Sequence, residues 1–349
     1  MKKFFNELLG KGDYRFMRRR ALVVLMTALI LVVLTGCQQE YKMSILDTAG
    51  TVAEVQKSLI WLSIYIMSFV VTVVTVILIY VLIRYRRKPG DDTPPKQVEG
   101  STLLEVVWVL VPIILLAILA VPTVTTTFSL EKVQAGDNIL NVKVTGAQFW
   151  WQFEYPDYGI VTAQELHIPT GTKVNLELET RDVLHSFWIP RLSGKTDLIS
   201  GRTNFMWLEA TEPGTYIGKC AELCGDGHGV MDFLVVAQEP ADFEQWVANM
   251  KNPQTEPTSA LSEQGQQVFA QSCASCHAVA GTDFAGTAGP DLTGFGNRQK
   301  VAGFWDQTDE NMAKWIKDPA SMKPGSLMPA VPLADEEIEA LVAYLKDLK

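Results

Sequence analysis

The chain has 349 residues, a formal net charge of −9 and 48% hydrophobic against 20% charged residues. That length accommodates two domains plus membrane segments. No basic tract of the kind nucleic-acid binding needs is present, and the acidic balance favours a basic partner protein without saying anything about fold.

In chain order, residues 1–36 read as a targeting segment. Lys2, Lys3, Arg15, Arg18, Arg19 and Arg20 make a basic leader, and Ala21–Leu34 is an apolar run too short to span a bilayer. It ends in LTGC, which resembles the site cleaved by the lipoprotein signal peptidase, making Cys37 a lipid-modified N-terminus. An uncleaved signal anchor with an incidental cysteine is the competing reading, and MRRRALVVL, from Met17, is an alternative start.

Residues 37–130 are expected to form a transmembrane hairpin, with helices over about 59–83 and 103–124. Leu59–Ile83 carries no charge, and Leu103–Val124 carries only Glu105. The connecting RYRRKPGDDTPPK is basic beside the first helix, so the positive-inside rule puts it in the cytoplasm and everything after the second helix on the outer face of a bacterial membrane. A carboxylate within a span is costly and often functional. For Glu105, near the cytoplasmic end of its helix, snorkelling to the headgroups is the alternative.

Residues 131–238 change to a period of two: Val142 and Val144 in NVKVT, then Val174, Leu176 and Leu178 in KVNLELE, between PTG, LSG, ISG and EPG turns. This pattern predicts an all-β sandwich or barrel. AQFWWQFEYP reads as core packing with an interfacial belt. The charges of SGKTDLISGR (Lys195, Asp197, Arg202) read, by residue type alone, as solvated turns, and His167 as a barrel-edge residue.

KCAELCGDGHGVM places Cys220, Cys224, His228 and Met231 in one short loop, with His185 upstream in DVLHSFWIP. Thiolate, imidazole and thioether form a soft donor set that selects copper. An early His followed by a late Cys/His/Met loop is how single-copper sites are assembled on β-barrels, but here there is one cysteine more. Two thiolates four residues apart suit a bridged, dinuclear copper centre. A structural zinc site or a disulfide loop is the competing reading.

Residues 239–260 are expected to be a linker: ADFEQWVANM as a short helix with Phe243, Trp246 and Val247 on one face, then flexible KNPQTEPTSA. Residues 261–349 hold CASCH, the covalent haem-attachment signature, so Cys273 and Cys276 would bond the porphyrin and His277 would bind its iron. Iron with His/Met ligation needs a distal Met. Met328 in KPGSLMP is preferred, Met322 lies six residues earlier, and Met312 is expected in the core. Ile338, Leu341, Val342 and Leu345 form the stripe of a closing helix whose first turn holds Asp335, Glu336 and Glu337. All five cysteines are thereby assigned, leaving none for a disulfide.

C-x-x-x-C-x-x-x-H-x-x-M with DVLHSFWIP upstream resembles the copper A site of cytochrome c oxidase subunit II, here with a cytochrome c domain fused at the C-terminus. The resemblance implies that Cys220 and Cys224 bridge the coppers, that His185 and His228 are terminal ligands, and that Met231 and the Glu222 carbonyl are weak axial ligands. It implies that the Glu222 carboxylate faces a magnesium ion at the boundary with subunit I. EVVWVLVP resembles the family's second helix, where Glu105 would mark a proton-uptake path. The family's electron-accepting Trp aligns with Phe149, a departure that makes Phe149 and Trp151 candidates for electron input. Lys195, Asp197 and Arg202 match residues contacting subunit I. KPGSLMP resembles the distal haem loop, and GPDLTG the loop whose Pro290 carbonyl orients His277.

The expected fold is thus a multidomain membrane protein: a two-helix transmembrane hairpin, a cupredoxin-like all-β copper domain and an all-α class I cytochrome c domain. The resemblance implies electron transfer from a covalently bound haem c through dinuclear copper A to the haem–copper subunit I, where oxygen reduction is coupled to proton pumping. No oxygen-reducing site lies in this chain. Partners would be subunit I, further oxidase subunits, membrane lipid and an upstream donor such as a cytochrome bc complex or cytochrome c. Related quinol oxidase subunits lack the copper ligands. The alternatives are a copper-A nitric oxide reductase subunit and a membrane-anchored redox sensor or copper-binding module.

Overall fold

The computed structural model describes residues 43–349, apart from 88, 89, 91–93, 95, 96, 98 and 137, together with positions 20, 23, 24 and 27, which are helical. Cys37 lies outside the described residues.

Two long helices, α1 (Thr51–Arg84) and α2 (Thr102–Leu130), carry apolar side chains outward on every side, Val76 being 61% and Leu103 73% exposed. A helix apolar all round, with its backbone bonds satisfied internally, suits a lipid environment. Pro112 and Pro122 lie inside α2, as spanning helices tolerate. Both helices outrun their apolar stretches. The polar segment TVAEVQKS continues α1 to an anchorage on the β-domain, where Ala49 N–H donates to Arg191 O at 2.8 Å and Ala53 N–H to Leu192 O at 3.2 Å. Gly50 is required there, since a Cβ would come within 2.4 Å of Leu192 O. At the far end of α2, Trp207 Nε1 donates to Leu130 O at 3.0 Å.

Ten strands follow: β1 (Ile139–Ala147), β2 (Trp150–Tyr155), β3 (Ile160–Ala163), β4 (Glu165–Pro169), β5 (Lys173–Thr180), β6 (His185–Trp188), β7 (Lys195–Leu198), β8 (Asn204–Leu208), β9 (Gly214–Cys220) and β10 (Asp232–Gln238). They make two five-stranded sheets, ordered β3-β2-β1-β5-β8 and β4-β10-β9-β6-β7. The period of two does what it should: Trp151, Phe153 and Tyr155 on β2, and Val174, Leu176 and Leu178 on β5, are fully buried between the sheets. The Phe187 and Phe233 rings stack there at 4.3 Å, with Trp151 edge-on to Phe187 at 5.2 Å. Aromatic pairs of this kind add to plain area burial. They also fix the strands from which the site loops leave.

Helix α3 (Pro240–Lys251) lays Phe243, Val247 and Met250 on this core, while Trp246 stacks on His167 at 4.5 Å. The stretch after it, expected to be flexible, is pinned to the chain's last residues. Gln254 N–H donates to Lys349 O at 2.5 Å, and Thr258 Oγ1 bonds the Asp347 carboxylate at 2.9 Å. Beyond it, α4 (Ala260–Ser272), α5 (Asp309–Lys317) and α6 (Asp335–Asp347) enclose a second core containing Phe269, Met312, Leu341 and Tyr344. The Ser259 side chain caps α4 by accepting from Ser262 N–H at 3.1 Å. Helices α4 and α6 meet at Gly265, where a Cβ would lie 1.9 Å from Ala340 O.

Candidate metal centre

The β6–β9 register pairs Phe187 with Cys220, so His185, at the start of β6, projects just beyond the end of β9. The loop from Cys220 to Met231 is closed at its base by Cys220 N–H donating to Met231 O at 3.1 Å. Six donors converge here, five from the loop and His185 from β6. Cys220 Sγ lies 3.8 Å from Cys224 Sγ, 3.8 Å from His185 Nδ1 and 3.2 Å from Glu222 O. Cys224 Sγ lies 3.7 Å from His228 Nδ1 and 3.7 Å from Met231 Sδ.

Two sulfurs at that separation can share metal atoms bound at about 2.3 Å to each. A tetrahedral zinc ion uses four donors; two thiolates, two imidazoles, a thioether and a carbonyl exceed that and suit soft copper. His185, Cys220 and Cys224 are buried, so water is kept from the sulfurs. The S–H of Cys224 holds Cys220 well below the usual thiol range, and Cys224, facing that thiolate, is pushed above it. The pair therefore carries a ready anionic sulfur for a cation. Burial pulls the His185 pKa down, but its bonds to Cys220 and Asp182 outweigh this and leave it raised.

Support behind these donors comes from Asp182 and Gln148, which the sequence pattern did not flag, and from Trp151, which it singled out for electron input. Asp182 Oδ1 accepts from His185 Nε2 at 2.8 Å, which leaves Nδ1 to face Cys220. Asp182 also accepts from Gln148 N–H at 2.8 Å and Val183 N–H at 2.7 Å. Gln148 Nε2 donates to Cys224 O at 2.6 Å, and Trp151 Nε1 to Met231 O at 3.4 Å. Of the two unflagged residues, Asp182, three residues before His185 in DVLH, had a readable signal.

A cavity of about 470 Å³ is lined by Cys273, Cys276, His277 and Met328. His277 Nδ1 bonds Pro290 O at 2.8 Å, leaving Nε2 as the ring's free donor atom. Gly289 lets the chain pass beside that ring, where a Cβ would come within 2.6 Å of it. Leu292, Phe295, Val301, Leu333 and Leu341 give the cavity apolar walls, which suit a porphyrin. Burial lowers the His277 pKa, which favours the neutral ring, and pushes the Cys273 thiol up to about 11. Met312 is 2% exposed in the core; Met328, not Met322, lines the cavity.

Neither candidate ring for electron input faces solvent. Trp151 is fully buried behind His185, at 5.9 Å between ring centroids, because strand alternation turns it inward. Phe149 is 5% exposed and lines the cavity from the β-domain side, covered by the helical domain. Glu105 is exposed in the first turn of α2. Lys195 and Asp197 lie on β7, paired with the His185 strand, and Arg202 in the following turn. The Glu222 carboxylate accepts from Leu223 N–H at 3.2 Å.

Residues 38–126 match the family described as the transmembrane domain of cytochrome c oxidase subunit II, residues 160–238 its periplasmic domain, and residues 262–349 cytochrome c. Cytochrome c oxidase subunit 2 of Alkalihalophilus pseudofirmus is 50% identical over 322 residues, 90% of this chain and 94% of the relative. That of Bacillus subtilis is 43% identical over 347 residues, 94% of this chain and 97% of the relative. A quinol oxidase subunit 2 of Bacillus cereus is 34% identical over 236 residues, 66% of this chain and 80% of that protein.

Proposed function

The chain belongs to the cytochrome c oxidase subunit II family, and from that premise we propose that it is the electron-input subunit of a respiratory oxidase, carrying electrons from a bound haem c to copper A and on to the haem–copper subunit I. One observation carries this reading: two buried thiols, two imidazoles, a thioether and a carbonyl converge, and Gln148, which holds their loop by donating to Cys224 O, also lines the haem cavity. The quinol oxidase relative matches 66% of the chain, against 90% for the cytochrome c oxidase subunit 2 of Alkalihalophilus pseudofirmus.

Cys220 and Cys224 would bridge the coppers, with His185, His228, Met231 and the Glu222 carbonyl completing the set. When bound, the copper pair supplies a one-electron carrier. The protein's part is to hold the donors still, since coordination preset by a rigid sheet limits rearrangement when the charge changes. Asp182 fixes the His185 ring, and Gln148 and Trp151 tie the loop carbonyls. Cys273 and Cys276 would anchor the haem through thioethers, and His277 and Met328 would bind its iron. Within the same proposal, the membrane hairpin comprises residues 37–130, the copper domain 131–238 and the cytochrome domain 261–349, the latter two on the outer face. Cys37 is the lipid attachment point after removal of residues 1–36, Glu105 serves proton uptake coupled to pumping, and the Glu222 carboxylate faces magnesium at subunit I. Lys195, Asp197 and Arg202 contact subunit I, and the donor is a cytochrome bc complex or cytochrome c.

The test is metal analysis and electron paramagnetic resonance of the membrane-purified protein. A copper pair per covalent haem with a mixed-valence signal is expected, and Cys220→Ser should abolish the signal while the haem spectrum stays. A single zinc in place of copper would refute the reading.

A further inference from the structure

Lys323 is a cation in an unusual place. It belongs to the cytochrome domain, is 3% exposed, and its Nζ donates to Phe149 O of the copper domain at 2.9 Å and to Ala302 O of its own domain at 2.6 Å. The bonded partners are carbonyls from two domains rather than a carboxylate. Asp232, the acid that attracts it from further off, is itself bonded to Lys219 at 2.7 Å. Burial pushes the Lys323 pKa down to about 7. An apolar residue of the same length would fill this space without that penalty. What only the amine supplies is the bridge.

The surroundings are built for a fixed contact. Gln299 N–H donates to Glu165 Oε1 at 2.6 Å, Gln299 Nε2 to Thr215 Oγ1 at 3.3 Å, and Arg181 Nη1 to Thr287 O at 3.2 Å, each across the same boundary. Backbones approach too closely for side chains: a Cβ on Gly227 would lie 2.8 Å from Pro324 O, and one on Gly303 2.6 Å from Asp232 O. Gly303 and Gly325 also have φ of +78° and +74°, which glycine adopts freely. Phe149 is held between the copper loop and Gly325. Little chain is free to let the domain swing, because Gln254 and Thr258 are already bonded to the domain's C-terminal residues.

We propose that Lys323 is a positioning residue that latches the cytochrome domain over the copper loop, so that haem and copper exchange electrons within a standing contact rather than by collisions of a tethered donor. The electron part rests on the function proposed above. The haem that Cys273, Cys276, His277 and Met328 would hold would supply one electron to the copper pair that Cys220 and Cys224 would hold, with no bond formed and no proton moved.

The test uses the full chain in its assembled, copper- and haem-loaded oxidase. In the parent protein, Lys323 should resist a water-soluble acylating reagent that modifies Lys314, whose side chain is 61% exposed; labelling of both at the same rate overturns the latch without any variant. K323M keeps the stem and removes the donor. In it, amide exchange over residues 147–151 and 323–328 should rise by about tenfold, the order expected for losing a net hydrogen bond or two, while β5 stays protected. Single-turnover transfer from haem to copper should slow and become dependent on ionic strength, as it does for a searching partner and not for a latched one. Unchanged exchange in K323M overturns the latch. Raised exchange with an unchanged transfer rate keeps the contact and overturns its role in electron delivery. Absence of copper from both proteins overturns the functional reading alone.

Discussion

Asp182 makes no bond to copper in the arrangement proposed, yet the His185 ring depends on it. It holds Nε2 at 2.8 Å and takes two backbone N–H groups in addition, so Nδ1 is the atom left for the metal. Removing an outer partner of this kind typically costs about 10- to 100-fold in metal affinity. Asp182→Asn is therefore expected to weaken copper retention by that order in chelator competition. Lys323 gives a pH dependence of opposite character. An unfolded lysine titrates near about 10.4, whereas burial in the fold lowers this one to about 7. Between those values the unfolded chain binds the extra proton, so stability rises with pH across the window and the cost of the buried cation is fully present below about pH 7. The parent should therefore gain resistance to urea between pH 7 and about pH 10, a rise that K323M, with no amine to titrate, should lack. The two donor clusters were legible because covalent spacing alone gathers Cys220, Cys224, His228 and Met231, or Cys273, Cys276 and His277. Lys323 was not: its partner Phe149 is 174 positions away, and nothing in KPGSLMP distinguishes a buried amine from a solvated one.

At the scale of elements, periodicity carried the strands and the closing helix, while boundaries depended on tertiary partners. Ile338, Leu341, Val342 and Leu345 are buried as their spacing required, because one helix face against one core is a local property. Helix α1 starts at Thr51 rather than near residue 59, since an apolar run marks where lipid lies and not where backbone bonding ends. The polar turns of α1 are kept helical by docking on Leu192 and Glu209, contacts that no local pattern announces. A third case is the α4–α6 crossing at Gly265. Its Cβ position coincides with Ala340 backbone, which cannot move aside as a side-chain tip would. Gly265→Ala should destabilise the cytochrome domain by about 1–3 kcal/mol, the usual cost of overpacking, despite alanine's better helix propensity. Thermal loss of the haem absorption band measures it, and an unchanged midpoint would mean the helices separate freely at this point.

For the molecule as a whole, fusing a haem domain to a copper domain admits two physical regimes that the sequence does not distinguish. A flexible tether raises the local concentration of the donor, and transfer then depends on tether length, falling roughly as the −3/2 power, so that doubling the length costs about threefold. A standing interface makes length irrelevant, because closure has already occurred. Composition favoured the first regime, since KNPQTEPTSA has no apolar period. The structure favours the second: Gln254 pairs with Lys349 and Thr258 with Asp347, so only a few residues after α3 join one domain to the other. Inserting a Gly/Ser segment between Asn252 and Pro253 separates the regimes. In the parent, single-turnover transfer from haem to copper should be unaffected by insertions that double or quadruple the connection. In K323M the same insertions should slow transfer progressively with length, because the domain then returns to the copper loop by searching. Length dependence already in the parent would put the domain on a free tether and make the buried Lys323 contact incidental to electron flow.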